Sequence, residues 1–138
     1  MKLNVDQAGV RELADKLREG LEKAHDLSTQ EVWGNLMEHS PQDQGRLAGS
    51  WKYRRTGSFR SLISTSVSYA MVQNDGVDPF TIRPKNGQAL YWKGAAHPVK
   101  KVEHPGFKGK HYIEQSIDEA GERHEEFVRS SLRKVQLL

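Results

Sequence analysis

The chain contains no cysteine. That removes a disulfide framework, a thiolate nucleophile and a cysteine-ligated zinc from consideration, and it suits synthesis in a reducing cytoplasm. It also lacks any apolar run of the roughly 18 or more residues that a membrane span requires. The opening residues, MKLNVDQAG, have no apolar block of the kind that forms a secretory signal, so no membrane partner is expected. Apolar residues make up only 36% against 28% charged, which favours one modest core with much exposed surface and long loops. A length of 138 residues suits a single domain, 1–138, because a chain near 150 residues buries about two thirds of its unfolded surface.

Arrangements that carry out chemistry are scarce too. His97, His104 and His111 stand seven residues apart, but two of them precede proline, which disfavours the helix that would bring them together. The helix-borne metal motif needs histidines at i and i+4 with a glutamate between them, and this run has neither feature. None of the serines at 58, 61, 64, 66 and 68 sits in a G-x-S-x-G elbow. Lys93-Gly94 and Gly106-Phe107-Lys108-Gly109 lack the strand–loop–helix setting of a phosphate loop. The acidic residues fall mostly at helical charge-pair spacings, a solvated-face pattern. The expectation is no enzyme, no metal and no cofactor.

Charge of one sign is unevenly placed. Residues 1–40 carry 5 basic and 8 acidic side chains, whereas residues 81–111 carry 7 basic ones against Glu103 alone. Clustered charge decides partners more than the total does. In the basic segment Arg83, Lys85, Lys93, Lys100, Lys101, Lys108 and Lys110 are interleaved with Tyr91, Trp92 and Phe107. Such a set can neutralise phosphates of double-stranded DNA in a salt-dependent, sequence-independent way. It can equally be an exposed arm kept soluble by lysine, with the aromatics packed beneath. From the residues alone both readings stay open.

Periodicity predicts a helix from about Asp6, its N-cap, to Pro41. Val10, Leu13, Ala14, Leu17, Leu21, Ala24 and Leu27 line one face, and Glu12–Lys16 and Glu19–Lys23 are spaced as i,i+4 pairs on the exposed side. A kink is expected at Gly20 or near Leu27–Thr29. The middle reads as strands: Trp51–Arg55, a turn at Thr56-Gly57-Ser58, and Arg60–Val67. Tyr69–Gln73 reads as more strand or as a short helical turn. Three further strands are expected at Thr81–Arg83, Ala89–Trp92 and Val99–Val102, forming an extended hairpin arm. A second long helix carries the stripe Tyr112, Ile113, Ile117, Ala120, His124, Phe127, Val128, Leu132 and Val135. The fold class is α+β: long N- and C-terminal helices packed on a small antiparallel sheet, with an extended hairpin arm. Along the chain this gives 1–40 as long helix, 41–76 as turn and strands, 77–111 as basic arm and 112–138 as the last helix.

Several short motifs then occur in a familiar order. Pro41-x-Asp43-x-Gly45-Arg46-Leu47-x-x-Ser50 resembles the P-V-D-T-G-x-L-x-x-S signature of siphophage neck and tail-completion proteins, the gene-product-ten-like minor tail components. Val67-Ser68-Tyr69-Ala70-Met71-Val72 is similar to that family's v-x-Y-A strand, and Asn74-Asp75-Gly76 stands where it has a glycine turn. Thr81–Lys85 resembles its I-x-P-K segment, Ala89–Trp92 the strand that follows, and His104-Pro105-Gly106-x-Lys108 its H-P-G-x-K. His111–Ile117 resembles the lead-in to the final helix. The likeness spans roughly residues 5–135, with Gln42, Gln44 and Ala48-Gly49 departing from the pattern.

The resemblance implies a structural virion protein of a tailed phage or prophage at the head–tail junction. It would be made in the bacterial host cytoplasm and would act as a homo-oligomeric ring. Implied partners are the connector or stopper, the tail terminator or tail tube, and the genomic double-stranded DNA in the channel. A terminator or connector role in the same assembly, and a free DNA-binding protein using the 81–111 arm, are the alternatives. Within the opening motif Pro41, Asp43, Gly45 and Leu47 read as a fold-defining turn: a helix stop, a cap, a special backbone angle and a core anchor. The arm, and the acidic N-terminal helix of a neighbouring copy, are candidates for intersubunit pairing.

Overall fold

A computed structural model of the chain describes residues 1–42 and 45–138. Asp43, part of the expected turn, lies outside the described residues. The fold is α+β, with a long helix at each end and small antiparallel ladders between them. Cα packing divides the chain into two compact units: residues 1–67 with 112–138, and residues 68–111.

In the first unit α1 runs Gln7–His39 and α3 runs Tyr112–Lys134. Asp6 caps α1 by accepting the Ala8 N–H at 3.1 Å. The helices lie antiparallel, tied by Ser28 to His124 at 2.8 Å, by Asn35 to the Ser116 carbonyl at 3.1 Å and by Arg123 to Glu31 at 2.5 Å. Gly20 does not end or divide α1. Its missing side chain makes room for α3, since a Cβ there would stand 2.8 Å from Leu132 and 3.2 Å from Val135. Ala24 and Leu36 of α1 and Tyr112, Ala120 and Phe127 of α3 are buried along the seam, together with Ser116 and Ser131. The expected apolar face of α1 is covered only in part. Val10, Leu13 and Leu17 stay 43–56% exposed. The Glu12–Lys16 pair forms at 2.8 Å, while Glu19–Lys23 is not among the described ion pairs.

β1 (Lys52–Gly57) and β2 (Arg60–Ser64) form a hairpin with Tyr53 opposite Ile63 and Arg54 opposite Leu62. β2 stops at Ser64, short of Val67, where the Thr65 hydroxyl accepts the Val67 N–H at 3.1 Å and takes the backbone off the ladder. Tyr53 faces α1 through Trp33, ring centroids 6.1 Å apart.

The second unit starts with α2 (Ala70–Asp75). Two short ladders follow: β3 (Gly76–Val77) with β6 (Phe107–Lys108), and β4 (Phe80–Ile82) with β5 (Val102–His104). They share one register, for the pairing that joins Gly76 to Lys108 joins Phe80 to His104 when continued. At the level between them Pro79 lies opposite Pro105, and neither has an N–H to give to a ladder. A small antiparallel sheet with an extended hairpin arm was expected, and among the described residues these are three two-stranded ladders, β1–β2 and the two of the arm. The strand expected at Ala89–Trp92 is a single bridge, Leu90 to Val99. The one expected at Val99–Val102 is displaced to Val102–His104.

Candidate interaction surface

The 68–111 unit is held at its base by close backbone approach. Gly76 and Gly106 have φ of +85° and +71°, and a Cβ on either would run into the backbone opposite: Gly109 and Phe107 for Gly76, Val77 and Asp78 for Gly106. Only glycine meets both demands at no steric cost. His104 fixes the same turn. Its Nδ1 accepts the Gly106 N–H at 3.0 Å and its ring stacks on Phe80 at 4.8 Å. The imidazole proton then sits on Nε2. His104-Pro105-Gly106 is thus a turn built for the ladder. Among the described residues no group of three or more histidine, aspartate or glutamate side chains could hold a metal ion.

From that base the chain extends through β4 and β5 to an irregular stretch. The Leu90–Val99 bridge, with hydrogen bonds of 2.6 and 3.0 Å, brings the Tyr91–Lys93 stretch and Lys100–Lys101 to two sides of one strand-to-strand contact. Beyond it the chain reverses where Ala95 N–H donates to the Trp92 carbonyl at 2.9 Å and Gly94 takes φ of +100°. Arg83, Lys85, Lys93, Lys100, Lys101, Lys108 and Lys110 are all exposed. So are Tyr91, 70%, and Trp92, 50%. The aromatics therefore stand in solvent and do not pack beneath the lysines.

Glu103, the one acid of the segment, is already engaged. Thr81 across the ladder donates to it at 2.7 Å, and Lys101 lies 3.3 Å away. The Thr81 hydroxyl first, then the Lys101 ammonium, hold its carboxyl below the ordinary value. No described ion pair takes any of the other six cations. An open groove along β3 and β6, lined by Asp75, Asp78, Phe107, Lys108 and His111 among others, carries charge of both signs. The arm thus presents ammonium and guanidinium donors beside aromatic faces, a combination suited to binding anions and stacking.

The turn residues belong to the other unit. Pro41 follows α1, where the Ser40 N–H closes the helix on the Leu36 carbonyl at 3.1 Å. Gly45 has φ of +66° and Leu47 is 1% exposed. Trp51 locks the segment: its Nε1–H donates to Ser40 Oγ at 2.8 Å, its carbonyl accepts Trp33 Nε1–H at 2.9 Å, and its ring meets Tyr112 edge-on. The sequence reading did not anticipate the contact of Ser28 with His124. Spacing gives no sign of it, because the two residues lie on different helices. The Ser28 hydroxyl already donates to the Ala24 carbonyl at 2.9 Å, so it accepts from the imidazole, and the pair ties helix to helix without activating a nucleophile.

In comparisons with known proteins, no family model, no curated protein and no solved structure matches the chain. A functional reading therefore rests on the residues and their geometry.

Proposed function

We propose that this chain is a structural virion protein of a tailed phage or prophage, located at the head–tail junction and acting through ring-forming protein–protein contacts. The observation that carries the reading is the order of its motifs, several of which fall where the backbone turns or locks. Pro41 ends α1, Leu47 seats the following turn in the core, Asn74-Asp75-Gly76 leads into β3, and His104-Pro105-Gly106 makes the hairpin base. A closed ring needs heterologous contacts, one patch meeting a different patch on the next copy. The exposed Tyr91 and Trp92 on a basic arm supply one such patch, since aromatics are enriched at interface cores. The acidic 1–40 segment of the next copy is its counterpart in charge. Connector, tail terminator or tail tube proteins would sit above and below the ring, with the DNA passing through it.

The six arm cations that no described ion pair takes favour a second reading, a free double-stranded-DNA-binding protein that uses residues 81–111. A terminator or connector role in the same assembly shares the ring chemistry of the first. Imaging particles produced with this gene silenced separates the classes. Filled heads and finished tails lying unjoined, or heads losing DNA, are the expected result. Normally joined particles would overturn it and leave DNA binding as the leading function.

A further inference from the structure

The β1–β2 hairpin carries a second set of cations, brought together only by strand pairing. Side chains alternate across a strand, so Lys52 and Arg54 of β1 share the outward face with Arg60, Leu62 and Ser64 of β2. All five are exposed, and Lys52 stands opposite Ser64 and Arg54 opposite Leu62. The inward face differs. Arg55, the next residue along, is clamped by Glu22 and Asp26, each at 2.9 Å. No described ion pair takes Lys52, Arg54 or Arg60, and among the described residues the acids that engage the hairpin, Glu22 and Asp26, serve the inward Arg55.

We infer that the outward face of the β1–β2 ribbon is a binding surface for the phosphodiester backbone of double-stranded DNA. Composition favours a nucleic acid over a protein partner. Arginine is common to both kinds of interface, but protein–protein interfaces are depleted in lysine and serine and enriched in aromatics, of which this face has none. Phosphate oxygens, by contrast, are contacted chiefly by arginine, lysine and hydroxyl side chains. Lys52, Arg54, Arg60 and Ser64 are the second kind of set. Shape agrees as well. A two-stranded antiparallel ribbon is one of the two elements that the major groove of B-DNA, about 12 Å wide, admits. The arginines offer planar forks to phosphate and lysine a mobile point charge. This surface is distinct from the 81–111 arm, and the inference does not depend on the head–tail reading.

The test is fluorescence anisotropy of a labelled duplex oligonucleotide titrated with the full chain between about 50 and 200 mM salt. Wild type is compared with Lys52→Gln/Arg54→Gln/Arg60→Gln and with the arm variant Lys93→Gln/Lys100→Gln. All five side chains are exposed, so both variants should keep the wild-type melting temperature. Each lost phosphate contact lowers the slope of log affinity against log salt by about 0.9. The ribbon variant should therefore lose about 2 to 3 in slope and at least about tenfold in affinity at the lowest salt. An unchanged slope in the ribbon variant overturns the inference, as does a wild type that binds no duplex at about 50 mM salt. Competition by polyglutamate as effective as competition by DNA would also overturn it, by showing a surface that takes any polyanion.

Discussion

Two tryptophans and a leucine set the path of the chain after the first helix. Leu47 fills a site closed to solvent, while Trp51 uses both its ring nitrogen and its carbonyl to tie the turn to Ser40 and Trp33. Truncating a fully buried leucine costs its transfer energy plus a cavity term, about 2–5 kcal/mol. Leu47→Ala should therefore lower stability by that amount in urea unfolding, with the change in the midpoint. Leu62→Ala, on the exposed face of the hairpin, should stay within about 0.5 kcal/mol. The anchoring role of Leu47 was readable from an apolar residue set in a polar turn. Ser116 and Ser131 were not readable as core. Small hydroxyl residues look like surface in a helical stripe, yet both are buried. Gly20 likewise read as a weak spot in a helix, and its use is to admit Leu132 and Val135.

At the scale of elements, the two long helices were legible because their apolar residues repeat every three or four positions over many turns. The arm was legible only as a hairpin. Its strands are two or three residues long, and Pro79 facing Pro105 breaks the ladder at a level that no single-strand pattern reveals. Gly106 holds that hairpin base. Gly106→Ala would force φ of +71° on a residue with a Cβ and drive it into the backbone of Val77 and Asp78. The backbone angle alone costs about 1–3 kcal/mol. Hydrogen exchange at Val77 and Lys108 should accelerate, while amides in the α1–α3 seam keep wild-type protection. The helices also carry a pH signature. Lys16 beside Glu12, Arg18 beside Glu22 and Gln115 beside Glu119 hold these carboxyls below their ordinary 4.5. With folded values depressed, the unfolded chain takes up protons first as acid is added. Their stabilisation is thus complete above about pH 4.5 and is lost as pH falls through the folded values. Glu12 is exposed, Glu22 and Glu119 are partly so, and none is deeply buried, so the effect should be small. Glu22→Gln/Glu119→Gln should flatten the acid limb of a melting-temperature profile and leave the neutral plateau nearly level.

For the whole molecule, the uneven charge is the feature with the widest consequence. A negative first segment and a positive arm on the same chain suit head-to-tail association of copies, because each copy offers both signs to its neighbours. Lys100 is the cleanest probe, being exposed and free of the Glu103 contact that engages Lys101. Lys100→Glu should leave the melting temperature of the purified chain unchanged and lower the yield of joined particles at least about tenfold when it is the only copy supplied, as loss of about 1.4 kcal/mol at a repeated interface would. Joined particles at wild-type yield would remove the arm from the interface. The arm's cations stand close together along the chain, so composition alone drew attention to them. The ribbon's three cations sit in a stretch, residues 44–74, with five basic and no acidic side chains, yet they become one surface only when β1 pairs with β2. Sequence alternation gave half of that picture; the pairing register supplied the rest.

A protein of the head–tail junction should be found there by immunogold labelling of mature particles with an antibody to this chain, with label confined to the point where head meets tail. Label spread along the tail, on the head surface, or absent from particles while abundant in the cell would contradict it.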